Sequence, residues 1–134
     1  MHRLLVGTAI AIGVLAQQPA LAEPTDMVVE IYRVAPGKHE EFLRQIALFD
    51  RANAEAGLPP RQLFVHQGGA SWDFLILQPA HHSDEEAAKL DAAFNKLGIP
   101  QGARFFVTFR QLIAEHTDTN VEATTAADYL KRLE

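Results

Sequence analysis

The stretch MVVEIYRVAPGKHEEF, residues 27–42, decides how the rest of the chain is read. Its first half, Met27–Val34, is rich in β-branched and aromatic residues, which suit a pleated, half-buried surface, so it reads as a strand. Pro36-Gly37 breaks that strand, because proline removes an amide donor and glycine turns freely. From Lys38 the apolar period changes from two to between three and four. Phe42, Ile46, Phe49 and Asn53 share one face with Leu43 and Ala47 beside them, which predicts a helix over Lys38–Ala56. Gly57 and then Pro59-Pro60 end it.

Downstream, Arg61–Gln67 (RQLFVHQ) and Trp72–Gln78 (WDFLILQ) read as a second and a third strand, joined through Gly68-Gly69-Ala70-Ser71 into a hairpin. Ser83 and Glu86 form a capping-box pattern. Ala87, Leu90, Phe94 and Leu97 follow on one helical face, and Gly98 stops that second helix. After a loop over Ile99–Gly102, Ala103–Glu115 (ARFFVTFRQLIAE) is expected to be a long fourth strand. Residues 117–124 are expected to be a polar turn, and Thr125–Leu133 a short terminal helix. The order β-α-β-β-α-β is the split βαβ, ferredoxin-like arrangement of the α+β class. Right-handed crossovers then give an antiparallel sheet in the order 4-1-3-2, with both helices on one face.

Upstream, Met1-His2-Arg3 precedes an apolar run from Leu4 to Ala16, then Pro19 and Ala20-Leu21-Ala22. A basic start, a short apolar core and an A-x-A site make residues 1–22 a cleavable Sec-type signal peptide. The run is shorter than the roughly 18 residues a permanent span needs. The expected mature chain is one domain, 23–134, in the periplasm or secreted, with no membrane contact after cleavage.

The 134-residue chain has no cysteine and a formal net charge of −5. Losing Arg3 with the leader makes the mature chain more acidic still. An acidic chain without a basic stripe excludes a nucleic-acid partner, and the lack of thiols excludes disulfides and thiolate chemistry. There is no G-x-S-x-G, P-loop, G-x-G-x-x-G or H-E-x-x-H, so no metal and no cofactor is expected.

Strand alternation leaves two apolar faces. Val29, Ile31, Leu63, Val65, Leu75, Leu77, Phe105, Val107 and Phe109 are assigned to the helix-covered face. The bare face is then assigned Glu30, Tyr32, Phe64, His66, Trp72, Phe74, Ile76, Arg104, Phe106 and Arg110. So large an apolar surface marks an interaction site, and two-fold pairing through the sheet face into a homodimer is the expected solution.

The pattern E-I-Y-R-V-A-P-G-K-H-E-E-F at 30–42 resembles the first strand and helix of the dimeric α+β barrel superfamily, which includes antibiotic-biosynthesis monooxygenase-like proteins. The resemblance covers about residues 27–116, by element order and the P-G-K-x-E-E-F turn. It implies sheets paired into a barrel and a pocket between sheet and helices or within the barrel. Members include cofactor-independent oxygenases, isomerases, cyclases and haem binders.

The candidate acid–base residues are His66, Tyr32 and Glu30. His66 ends the second strand, where a neutral imidazole can act as base or ligand. Glu30 and Tyr32 share a face of the first strand, where a buried carboxylate needs a partner; Arg104 or Arg110 is expected to supply it. Phe64, Trp72, Phe74, Phe106 and Arg110 are the candidate substrate-binding residues. His81-His82 and His39 read as solvated, and His116 falls just past the fourth strand. Two function classes follow: an exported oxygenase or isomerase acting on a small apolar or aromatic ligand, or a non-catalytic periplasmic binding or structural homodimer. Haem binding through a histidine is the remaining alternative.

Overall fold

The computed structural model describes residues 25–69 and 71–134. The expected leader and Ala70 of the expected turn lie outside them. The elements run β1 (Thr25–Val34), α1 (His39–Glu55), β2 (Gln62–Val65), β3 (Phe74–Pro79), α2 (Asp84–Lys96), α3 (Gly102–Arg110), β4 (Ile113–Ala123) and α4 (Ala126–Leu130), closed by a 3₁₀ turn, Lys131–Leu133. The four strands form one antiparallel sheet in the order β2-β3-β1-β4. That is the expected ferredoxin-like α+β topology.

The predicted fourth strand is corrected. Ala103–Arg110 is helical, and the strand lies further on, over the segment expected to be a polar turn. ARFFVTFRQL satisfies both periods: Phe105, Val107 and Phe109 alternate, while Phe105, Phe109 and Leu112 follow helical spacing. Tertiary packing chose the helix. The rings of Phe105 and Phe109 stack at 5.2 Å, and both lie against Phe49 of α1. Gly102, at φ +64°, turns the chain into α3 in a conformation that disfavours other residues. Thr108 returns its hydroxyl to the carbonyls of Arg104 and Phe105. The polar segment then pairs along its length with β1. As an edge strand it needs one neighbour and half a buried face, which a threonine-rich sequence can supply.

The assignment of faces is also corrected. The buried sheet residues are Tyr32, Val34, Phe74, Ile76 and Ile113, not Val29, Ile31, Leu75 and Leu77. The register shows why. Tyr32 stands opposite Phe74 and His116, and Glu30 stands opposite Ile76 and Asp118. These share the inner face, beneath the helices. Phe42 of α1 stacks on Phe74 at 5.4 Å and on Phe109 at 5.8 Å, and its ring lies 5.0 Å from Tyr32. The largest rings meet where burial is deepest. Leu63 and Val65 do lie on the inner side, opposite Ile76 and Phe74, but β2 is an edge and leaves them exposed.

The outer face carries Val29, Ile31, Leu75, Leu77 and Phe64, with Thr117 and Thr119 beside them on β4. Arg33 pairs with Glu115 at one end.

The helix ends follow the sequence. Ser83 Oγ accepts from Glu86 N at 3.2 Å, and Ser83 N donates to Glu86 Oε2 at 2.8 Å, completing the capping box of α2. Among the described residues no helix is long and apolar enough to cross a membrane.

Candidate functional site

A cavity of about 470 Å³ lies between the inner face of the sheet and helices α1, α2 and α3. Its wall is aromatic: Phe49, Phe94, Phe105, Phe106 and Phe109 contribute, with Ile99. Its polar end is built on the sheet from Glu30, Tyr32, Gln78 and His116, with Arg61 and Arg110 at its sides. The size and the mix of an apolar wall with few polar groups suit a small organic molecule.

The polar end has a defined geometry. The Tyr32 ring stacks on the His116 imidazole at 4.3 Å, with 9° between the planes, and meets Phe109 edge-on at 6.2 Å. Gln78 Nε2 donates to Glu30 Oε1 at 3.0 Å. Glu30 Oε2 is buried and accepts no hydrogen bond. His116 Nε2 lies 2.6 Å from Asp118 Oδ1, in a contact that lacks hydrogen-bond geometry. The nearest ligand atoms of Glu30, His116 and Asp118 all lie within 4.8 Å of one another.

Burial raises the Glu30 carboxyl above its ordinary value. The nearby Arg61 guanidinium opposes that rise, and the Asp118 charge adds to it. Burial also raises the Tyr32 phenol, helped by the Glu30 and Asp118 charges. Tyr32 therefore stays protonated at neutral pH and is a hydrogen-bond donor rather than a base. Arg61 is held in place: its Nε donates to Asp50 Oδ1 at 3.0 Å, its Nη2 to the Ile46 carbonyl at 3.2 Å, and its carbon sits 5.4 Å above the Phe49 ring.

Chemically this is a carboxylate, a neutral phenol and an imidazole gathered at one end of a greasy cavity. Such a set can orient an oxygen-bearing group and can pass a proton to or from it.

No protein-family model matches the chain, and no curated protein matches it. Its fold is similar to several solved structures. One is a NIPSNAP family protein of unknown function from Agrobacterium tumefaciens, 14% identical, with a TM-score of 0.48 over 76% of this chain and 90% of that one. A second is a dimeric ferredoxin-like protein from an uncultured marine organism, 13% identical, with a TM-score of 0.45 over 76% and 89%. A third is a dimeric protein of unknown function and ferredoxin-like fold from Bacteroides fragilis, 12% identical, with a TM-score of 0.42 over 74% and 96%.

Of the eight candidate acid–base and substrate-binding residues, the structure brings four to the cavity: Glu30, Tyr32, Phe106 and Arg110. Phe106 and Arg110 arrive on α3 rather than on a strand. The other four lie elsewhere. Phe74 is in the core against Phe42. Phe64 is on the outer face. Trp72 and His66 pack on each other at 4.8 Å at the β2–β3 hairpin, where the His66 amide donates to the Asp73 carbonyl. The expected Glu30 partners, Arg104 and Arg110, are replaced by Gln78, with the Arg61 charge nearby. His116, placed only just past the expected fourth strand, also lines the cavity, while Asp118, Gln78 and Arg61 were missed. Asp118 sits in the segment read as a turn, and His116 immediately before it. With that segment as a strand beside β1, alternation puts His116 and Asp118 on one face, and the register sets them next to Tyr32 and Glu30.

Proposed function

We propose that this chain is an exported homodimer that binds a small apolar or aromatic molecule in the cavity between sheet and helices, and transfers a proton within it as an isomerase or cofactor-independent oxygenase does. The observation that carries this reading is the meeting of five phenylalanine rings with Glu30, Tyr32 and His116 in one cavity. The rings hold the body of the ligand by burial and edge or face contact. Tyr32 donates to an oxygen of the ligand, and Glu30 accepts a proton from the adjacent carbon or hydroxyl. The leader pattern supports export. The apolar outer face supports pairing with a second copy, for which a standard interface takes about 800 Å² from each partner.

A panel of phenols, quinols and cyclic enones, screened by thermal shift and then by turnover, tests the reading. Binding by an aromatic member, weakened by Phe106→Ala, is the expected result. Glu30→Gln and Tyr32→Phe should keep binding within a few-fold and reduce turnover by about 100-fold or more. A panel without any binder, or binding indifferent to Phe106→Ala, would overturn it.

A further inference from the structure

We infer that Glu30, His116 and Asp118 form a binding site for one divalent first-row transition-metal cation at the polar end of the cavity. Glu30 and Asp118 are register partners on β1 and β4, and His116 lies two residues before Asp118 on the same face. Sheet geometry therefore delivers all three side chains to one point without any loop. Their donor atoms lie within 4.8 Å of one another. Donors around a tetrahedral ion with bonds near 2.1 Å stand about 3.4 Å apart. His116 Nε2 and Asp118 Oδ1 stand 2.6 Å apart and must part by about an ångström to admit the ion beside Glu30, a movement that exposed Asp118 on an edge strand can provide.

Two of the three donors are buried atoms without a directed hydrogen bond: Glu30 Oε2, and His116 Nε2, whose close contact is Asp118 Oδ1, the third donor. Buried polar atoms are nearly always partnered, and one cation would satisfy both. The surrounding contacts are those that hold metal ligands still. Gln78 fixes the other carboxylate oxygen at 3.0 Å, and the stacked Tyr32 ring fixes the imidazole plane. Two carboxylates and a neutral imidazole match a divalent charge. One nitrogen with two oxygens favours zinc, cobalt, nickel, iron or manganese over calcium, magnesium or a soft monovalent ion. Arg61, the nearest fixed cation, is turned toward Asp50 and the Ile46 carbonyl.

The inference shares the polar end of the cavity with the proposed function but does not depend on the aromatic wall. Glu30 cannot hold a cation and accept a proton on the same oxygen, so a bound cation suppresses proton transfer there and leaves the wall open.

The test is a cobalt(II) titration of chelator-stripped mature protein, followed by visible d–d absorption and by calorimetry. One saturable cobalt per chain is expected, displaced by zinc and not by magnesium. His116→Ala, Glu30→Gln and Asp118→Asn should each weaken it by about tenfold or more. Asp118→Asn is the variant least able to disturb the fold, because its side chain is mostly exposed. Absence of d–d bands, or affinity unchanged by His116→Ala and Asp118→Asn, would overturn the inference. Aromatic-ligand binding measured in chelator reads the cavity alone, so the two proposals fail separately.

Discussion

The two faces of the sheet differ in kind: the inner one sets polar groups into the apolar core, and the outer one carries apolar side chains away from the helices. The inner face lies under the helices, yet it carries Glu30, His116, Asp118 and Gln78 beside Tyr32, Phe74 and Ile76. The outer face points away from α1, α2 and α3, yet it carries Val29, Ile31, Leu75, Leu77 and Phe64, with the Arg33–Glu115 pair at its end. A one-sided antiparallel sheet ordinarily shows water its polar side. On the proposed reading, the inner polar groups serve a ligand and the outer apolar groups serve a second copy.

Substitutions on either side should break different things. Phe42 is fully buried and touches Tyr32, Phe74 and Phe109. Phe42→Ala is expected to destabilise the domain by about 3–5 kcal/mol, read as a lower denaturation midpoint. A loss under about 1 kcal/mol would mean the inner face is not the core. Ile31 is central on the outer face. Ile31→Glu should weaken association by about 100-fold or more, near 3 kcal/mol, while circular dichroism shows the fold kept. Unchanged dissociation on dilution would remove the outer face from any interface.

Smaller effects sharpen the contrast. Glu30→Gln removes a desolvated charge while leaving an acceptor for Gln78, so it should raise stability by about 1 kcal/mol at neutral pH even as it costs function. A destabilised variant would mean the charge is more fully compensated than its surroundings suggest. Arg33→Ala disrupts an ion pair whose partners are both substantially exposed, and should change stability by less than about 1 kcal/mol. A larger loss on thermal melting would show that this pair is desolvated, as it would be beneath a partner chain.

Where one period dominates, the sequence was legible. Met27–Val34, the Phe42–Ile46–Phe49 face of α1, the β2–β3 hairpin and the Ser83–Glu86 cap are all where the pattern places them. It misled where two periods coexist. Phe105, Val107 and Phe109 alternate like a strand, but Phe105 and Phe109 also stack one helical turn apart. Taking the first period shifted the last strand by about ten residues, left His116 beyond its end and hid Asp118 in a supposed turn. Faces were inverted for a related reason. Both sides of β1 are apolar enough to be core, and only the helices' aromatic rings decide which side receives them. Glu30 and Tyr32 were legible as a same-face pair. Their partners were not, because Gln78, Arg61 and His116 reach them through strand register and helix packing rather than through spacing along the chain.

The contrast between the two faces is tested most directly by sedimentation equilibrium of residues 23–134 at micromolar concentration. Twice the chain mass, falling to the single-chain mass for Ile31→Glu, is the predicted result. A single-chain mass for the unmodified protein would contradict the account, since the apolar outer face would then stand in water with nothing paired against it.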